Sequence, residues 1–126
     1  MANMQYEAKT FAADVEILKR PPFEAIPLTL AQLTVSQLAA SSLPTGYAKN
    51  SEGKVVALAG SPINGDGEVD NTGDAIGILK TDVVVDDRPQ GVILKKAYID
   101  EAVAEAHSGV TVDSTVKAVL PMVVFE

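Results

Sequence analysis

The longest strand-like segment of the chain is QGVILKKAYI, residues 90–99. Its valine, isoleucines and tyrosine belong to the residue types that favour strands. A turn over residues 86–89, DDRP, precedes the segment. Asp100 follows it and can cap a short helix over Glu101–His107, which Gly109 would end. A ten-residue strand that leads into a short capped helix predicts a β-rich domain with little helix.

Shorter strands are predicted on both sides of this segment, with turns between them. They are Lys54–Leu58, Ala75–Leu79, Val83–Val85 and the C-terminal Met122–Phe125. A short helical turn over Ser114–Leu120, stopped by Pro121, precedes the last strand. Between the first two strands, Gly60–Gly73 reads as a loop, and Gly77 indicates a bulge or a close backbone approach.

The first 25 residues differ from the rest, because they mix charged and small residues and end near the adjacent prolines Pro21 and Pro22. Such prolines forbid a helix and favour an extended path. Residues 1–25 are therefore predicted to form an extended N-terminal arm that a partner orders, with a frayed terminus as the alternative. Residues 26–126 form the predicted domain, which begins with a short strand, Ile26–Leu30, and a capped helix, Thr34–Ala40.

Composition agrees with this organisation. A chain of 126 residues fits one domain, and its hydrophobic fraction of 47% excludes a disordered polymer. The apolar residues are mostly Ala, Val, Leu and Ile, with no Trp, and many Gly, Pro, Thr and Asp residues punctuate them. The sequence predicts a mainly β fold (a β-rich α+β fold): a compact small β domain with short helices and an extended N-terminal arm.

Charge and cysteine content exclude several classes of function. The net charge of −7 disfavours nucleic-acid binding, since an acidic protein gains nothing from counterion release. The chain has no cysteine, which excludes disulfides, thiolate metal sites and thiol catalysis. The N-terminus does not resemble a secretory signal, and no apolar run approaches the roughly 20 residues of a membrane helix. We expect a soluble protein that binds neither nucleic acid nor membrane.

The sequence indicates no catalytic, cofactor or metal site. His107 is the only histidine and lies at a predicted helix C-terminus, where a partly cationic ring suits the helix dipole. Lys80 lacks the flanking residues of a carrier lysine. The loop Asn64–Asp74 alternates carboxylates like a calcium loop, but it has Asn71 where an EF-hand needs glycine and Gly77 where it needs glutamate. We expect a solvated surface loop, with a looser calcium site as the alternative.

Several segments follow one another in a recognisable order from Ala59 onward. They are Ala59–Ile63, Asp74–Leu79, a short Val-rich strand, the long strand Gly91–Ile99 with its helix, and Val116–Phe125. In this order they resemble the small head decoration proteins of tailed phages, of the lambda-like kind. The upstream part, Pro27–Leu58, follows the family only loosely.

The resemblance implies a structural virion protein that binds the exterior of the expanded capsid as homotrimers at threefold positions. The implied partner is the major capsid protein, and the chain would be synthesised in the cytoplasm of the bacterial host. The N-terminal arm would contact the capsid, often by adding a strand to an exposed sheet edge. The arm residues proposed to bind the capsid are Phe11, Val15, Ile17, Leu18, Pro21, Pro22 and Phe23.

Other interpretations remain open at the level of sequence. Candidate subunit-interface residues are Pro44, Tyr47, Met122 and Phe125, although the C-terminal pair fits a core equally well. A head-fibre base or an adhesin-like β-module would use the loop Gly60–Gly73 to bind something outside the particle. A small hydrolase or carrier enzyme would depend on His107 or Lys80, and a calcium-binding module would depend on the Asp66–Asp74 loop.

Overall fold

The computed structural model describes residues 16–33, 43–85 and 89–126. The predicted helix at Thr34–Ala40 and the arm residues Phe11 and Val15 lie outside these ranges, as do the first three residues of the predicted 86–89 turn.

Strands are the main regular structure of the described chain, and two short helices follow the ten-residue strand Gln90–Ile99. The strands are β1 (Leu18–Thr29), β2 (Tyr47–Lys49), β3 (Val55–Ala57), β4 (Pro62–Asn64), β5 (Ala75–Leu79), β6 (Val83–Val84), β7 (Gln90–Ile99) and β8 (Val123–Phe125). The helices are α1 (Glu101–Ser108) and α2 (Ser114–Val119). The mainly β fold with short helices expected from the sequence is confirmed.

The strands form two sheets. The larger sheet has the order β1-β7-β5-β4, with β8 also paired to β7. The smaller sheet has the order β2-β3-β6. Neighbouring strands run antiparallel except β7 and β8, which are parallel with Ala97 opposite Val123 and Ile99 opposite Phe125. Strand β7 is therefore the centre of the fold, since β1 lies on one side of it and β5 and β8 share the other.

Strand β7 has a buried residue on each face of the sheet. Neighbouring residues of a strand point to opposite faces, and Ile93 and Leu94 are both fully buried. Leu94 packs in a core cluster with Ile78, Ile99 and Val116. Ile93 packs in a second cluster that includes Leu30, Ile63 and Leu79. Strand β7 therefore contributes side chains to both hydrophobic cores.

Helix α1 has the capping residues that the sequence predicts and ends at Ser108, one residue beyond the predicted His107. The Asp100 carboxylate accepts a hydrogen bond from the Val103 amide at 3.3 Å, which satisfies one of the unpaired amides of the first turn. Gly109 adopts a left-handed backbone with φ of 75°, and its amide donates to the Glu105 carbonyl. The helix packs Ala104 into the first core.

Replacing Asp100 by alanine is expected to lower the free energy of unfolding by about 1 kcal/mol, because the N-cap hydrogen bond to Val103 is lost. Asp100→Asn is the matched control, since its side-chain oxygen keeps the cap and its loss is expected to be smaller. Urea unfolding followed by circular dichroism measures both. Equal losses for the two variants would show that the carboxylate charge, which also lies 3.8 Å from Lys19, matters more than the cap.

The structure corrects the boundary expected between arm and domain. Strand β1 begins at Leu18, which pairs with Ile99, and the Asp100 amide donates to the Ile17 carbonyl at 2.8 Å. The side chain of Ile17 is fully buried in the first core. Pro21 and Pro22 indicated an arm, but an outermost strand tolerates proline because its outer amides need no partner in the sheet. The domain therefore includes residues 16–25.

Smaller differences concern short strands. β5 and β7 have the predicted bounds. Strand β4, Pro62–Asn64, lies inside the segment that was expected to be a loop, and β2 was not expected as a strand. Each has three residues, which is too short for alternation of apolar and polar side chains to reveal it.

Candidate functional site

The described arm residues divide into buried and exposed groups. Ile17 is fully buried, and Leu18 is partly buried against the first core, so neither is available to a partner in this structure. Pro21, Pro22 and Phe23 are exposed, with 42% of Phe23 accessible. Of the described residues expected to contact a capsid, these three remain accessible.

The expected interface residues also divide. Tyr47 packs against the second core, and its hydroxyl accepts a hydrogen bond from the Val69 amide at 3.1 Å. Burial raises the pKa of Tyr47. Pro44 and Tyr47 line a cavity of about 120 Å³ together with Leu33 and Glu68. The structure therefore gives Tyr47 a role in joining segments of its own chain.

At the C-terminus, Met122 is 55% exposed, whereas Phe125 is half-buried against the first core. Glu126 binds Arg20 through two hydrogen bonds of 2.7 and 3.3 Å. This bond lowers the pKa of the Glu126 carboxyl and raises that of Arg20. The Arg20 guanidinium also lies 4.0 Å from the centre of the Tyr98 ring. These contacts join the end of β8 to β1 and β7. Of the two C-terminal interface candidates, Met122 is the more accessible.

The edge of the large sheet is poorly suited to the addition of another strand. β1 is the outermost strand, and it contains Pro21, Pro22 and Pro27. Proline has no backbone N–H, so this stretch offers few donors to an incoming strand. The outer edge of β1 therefore presents fewer backbone donors than an edge strand without proline.

Exposed apolar side chains lie in two regions of the described surface. Phe23, Ile26 and Val92 lie on β1 and β7, and Val103, Val119, Met122 and Val124 lie on α1, α2 and the β8 region. At β1 and β7, the ammonium nitrogen of Lys80 lies 5.3 Å from the centre of the Phe23 ring. The backbone amide of Lys80 donates to the carbonyl of Val92 at 2.9 Å. A contiguous group of exposed apolar side chains is typical of a protein-binding surface.

The loop between β4 and β5 has a defined structure. The Asn64 side-chain oxygen accepts hydrogen bonds from the amides of Asp66 and Glu68, at 2.9 and 3.1 Å. Both oxygens of Asp70 are bonded, one to the Asn64 side chain and the other to the Thr72 hydroxyl. These bonds, that of Thr72 first, lower the pKa of Asp70.

A calcium site in this loop is not supported. Within the part of the chain that the structure describes, no three His, Cys, Asp or Glu residues lie close enough together to hold a metal ion. The oxygens of Asp70 are occupied by bonds within the loop, and Asp66 and Glu68 point into solvent as exposed residues. The loop presents carboxylates outward instead of gathering them around a cation.

His107 has a partner that the sequence did not reveal. Its Nε2 atom lies 2.7 Å from an oxygen of Asp82, and the Ala59 amide donates to the same oxygen at 2.7 Å. The side chain of Asp82 is 1% exposed and that of His107 is 12% exposed. Asp82 lies between β5 and β6. No local sequence pattern pairs it with a residue 25 positions later.

The Asp82–His107 pair joins elements of the fold. It connects the segment between β5 and β6 to the last turn of α1 and to the chain before β4. Among the described residues, His107 makes no hydrogen bond to a hydroxyl group, which a catalytic triad requires. Lys80, the other residue considered for chemistry, lies against Phe23.

Neither described helix has the length and apolar character that a bilayer crossing requires. Comparison of the chain with protein-family models, with curated proteins and with solved structures finds no match.

Proposed function

We propose that this chain is a structural virion protein that decorates the head of a tailed phage. It binds the exterior of the expanded capsid, with the major capsid protein as its partner, as homotrimers at threefold positions. It stabilises the shell against the pressure of the packaged DNA. It is synthesised in the cytoplasm of the bacterial host, needs no cofactor and catalyses no reaction.

The order of elements from β4 to β8 supports this proposal. A short strand at Pro62–Asn64, the strand Ala75–Leu79, a two-residue valine strand and the long strand Gln90–Ile99 follow one another. Two short helices and a terminal strand complete the series. This is the same order of segments on which the resemblance to the decoration proteins is based.

The surface adds a physical argument. The exposed side chains Phe23 and Val92 give a partner apolar area to bury, at roughly 25 cal/mol per Å². A trimer that bridges several capsid subunits adds such area at each threefold junction. Because many copies bind, a small stabilisation energy per junction adds up to a large one for the whole shell. If the docking site forms only on expansion, binding shifts the shell toward the expanded state.

Co-sedimentation with expanded and unexpanded heads of the phage that encodes the chain tests the proposal. We expect saturable binding to expanded heads alone, and weaker binding after deletion of residues 1–15. That deletion keeps the buried Ile17 and the whole of β1, so the domain is expected to stay folded. Absence of binding to either form of the head would overturn the proposal.

The alternative is a head-fibre base or an adhesin-like β-module directed away from the virion. The observation that favours it is the loop between β4 and β5, which holds Asp66 and Glu68 in solvent through Asn64. Binding to host cells or glycans, without any effect on the thermal stability of heads, would support this alternative.

A further inference from the structure

Two turns of the described chain share one hydrogen-bond pattern. In residues 50–54 and 64–68, the side-chain oxygen of the first residue, an asparagine, accepts the amides two and four residues later. The fourth residue of each turn is a glycine with positive φ, 79° at Gly53 and 85° at Gly67, and its amide donates to the asparagine carbonyl. The turns differ in the residue after the asparagine, which is serine in the first and glycine in the second.

The pair Asn64–Gly65 is chemically labile. Asparagine is a thermolabile residue, and a following glycine has no side chain to hinder attack by its own backbone nitrogen. Gly65 is exposed, and a Cβ atom there would meet nothing within 4 Å. The surrounding protein therefore leaves this side of the pair open.

The reaction of such a pair consumes one water molecule and releases ammonia. The Gly65 nitrogen loses its proton and bonds to Cγ of Asn64, while the bond from Cγ to Nδ2 breaks and the amide nitrogen leaves as ammonia with a proton. Water then opens the cyclic imide at either carbonyl, which leaves aspartate or isoaspartate at position 64. The change needs no oxidant, no reductant and no other group of the protein.

Three hydrogen bonds oppose this reaction in the folded turn. The oxygen of the Asn64 side chain accepts from the amides of Asp66 and Glu68, and its Nδ2 donates to an oxygen of Asp70 at 3.0 Å. The bond to a carboxylate is charge-assisted and therefore stronger than a bond between neutral groups. Ring closure moves Cγ onto the Gly65 nitrogen and expels Nδ2, so the bond to Asp70 must break and the turn must loosen.

We infer that Asn64 is a protected modification site, which converts to aspartate or isoaspartate only when the loop between β4 and β5 opens. The rate of conversion then follows the fraction of molecules whose loop is open. The change is one-way, because the product has lost the amide that donates to Asp70 and presents a carboxylate in its place. Two carboxylates at hydrogen-bond distance repel each other, so the loop does not regain its original arrangement.

The contacts of the loop carry this change into the domain. The Ala31 amide donates to the Gly67 carbonyl at 3.1 Å, and Asn64 pairs with Ala75 of β5. Isoaspartate lengthens the backbone by a carbon atom, which shifts this pairing. A converted copy is therefore less stable than a newly made one. Only the chain and water take part, so the site operates whether or not the chain binds a capsid.

Peptide mapping by mass spectrometry measures the conversion of Asn64 in the purified full chain, incubated at neutral pH with and without guanidinium chloride. Conversion is expected to be about a hundredfold slower in the folded chain, because each of the three bonds shifts the opening equilibrium by about fivefold. Equal rates in the folded and unfolded chain, or no conversion in guanidinium chloride, would overturn the inference.

Ser51→Gly turns the first turn into a matched control within the same molecule. Asn50 then precedes a glycine and keeps its two amide bonds, whereas its side-chain nitrogen has no partner among the described residues. In the folded variant, Asn50 is expected to convert about tenfold faster than Asn64, and in guanidinium chloride the two rates should converge. Slower conversion of Asn50 than of Asn64 in the folded variant would contradict protection by Asp70.

Two replacements of Asp70 test the same bond directly. Asp70→Ala is expected to accelerate conversion of Asn64 by about tenfold, and Asp70→Asn by less, since its side chain keeps a neutral acceptor. Circular dichroism checks that both variants stay folded. A folded D70A chain that converts no faster than the wild type would show that the carboxylate gives no protection.

Asn64→Asp reproduces the aspartate product and tests whether the change is one-way. N64D is expected to unfold at a lower urea concentration than the wild type. N64D/D70N should lose much less relative to D70N alone, because a single carboxylate remains at the contact. An N64D chain as stable as the wild type would overturn the one-way change.

Discussion

Gly67→Ala is expected to lower the free energy of unfolding by about 3 kcal/mol, as the sum of a backbone cost and a steric cost. Gly67 has a φ of 85°, which L-residues rarely adopt. A Cβ atom at this position would lie 2.4 Å from the Thr29 carbonyl oxygen and 2.9 Å from the Leu30 Cα. These are backbone atoms of β1 and the residue after it, so no side-chain rotation relieves the contact.

Gly53→Ala is the matched control for this variant. Gly53 has a similar φ of 79°, but a Cβ atom there would meet nothing within 4 Å. Its replacement is expected to cost only the backbone term, about 1–2 kcal/mol. Urea unfolding compares the two variants at equal protein concentration. Equal losses would show that the close approach of the β4–β5 loop to β1 contributes nothing to stability.

Asp82→Ala is expected to lower the free energy of unfolding by about 3 kcal/mol, because a buried carboxylate that makes two hydrogen bonds is lost. The change removes the acceptor of both the His107 ring and the Ala59 amide. A buried amide without a partner adds its own desolvation cost. Asp74→Ala, at an exposed carboxylate, is the control and should change stability by less than about 0.5 kcal/mol.

A double-mutant cycle with His107→Ala separates the pair from the amide. The coupling energy between the two replacements is expected to exceed about 1 kcal/mol, since the residues share one hydrogen bond. Additive losses in urea unfolding would mean that Asp82 acts through Ala59 alone, and that His107 contributes by packing at the end of α1.

The parts of the fold that were predictable have strong local signals. β7 and β5 were predicted with their observed bounds because branched residues run between turn residues, and α1 was predicted from Asp100 and Gly109. The N-terminal boundary was wrong because the local signal of Pro21 and Pro22 competes with pairing to β7, which no local pattern encodes.

The surface was harder to predict for the same reason. Phe23 and Met122 were named as contact residues and are exposed, whereas Ile17 is buried by helices and strands distant in the chain. The contact of Lys80 with Phe23 depends on the order β1-β7-β5, which brings residues 23, 80 and 92 close together. Asp82 was missed because its partner is defined only by tertiary structure.

The shared position of β7 has a consequence for cooperativity. Ile93 and Leu94 belong to different cores, so loss of β7 exposes both at once. We therefore expect the two cores to unfold together, and the backbone amides of this strand to exchange with solvent only through global unfolding. A copy of this chain would then respond to mechanical load as one unit, without a weaker subdomain that yields first.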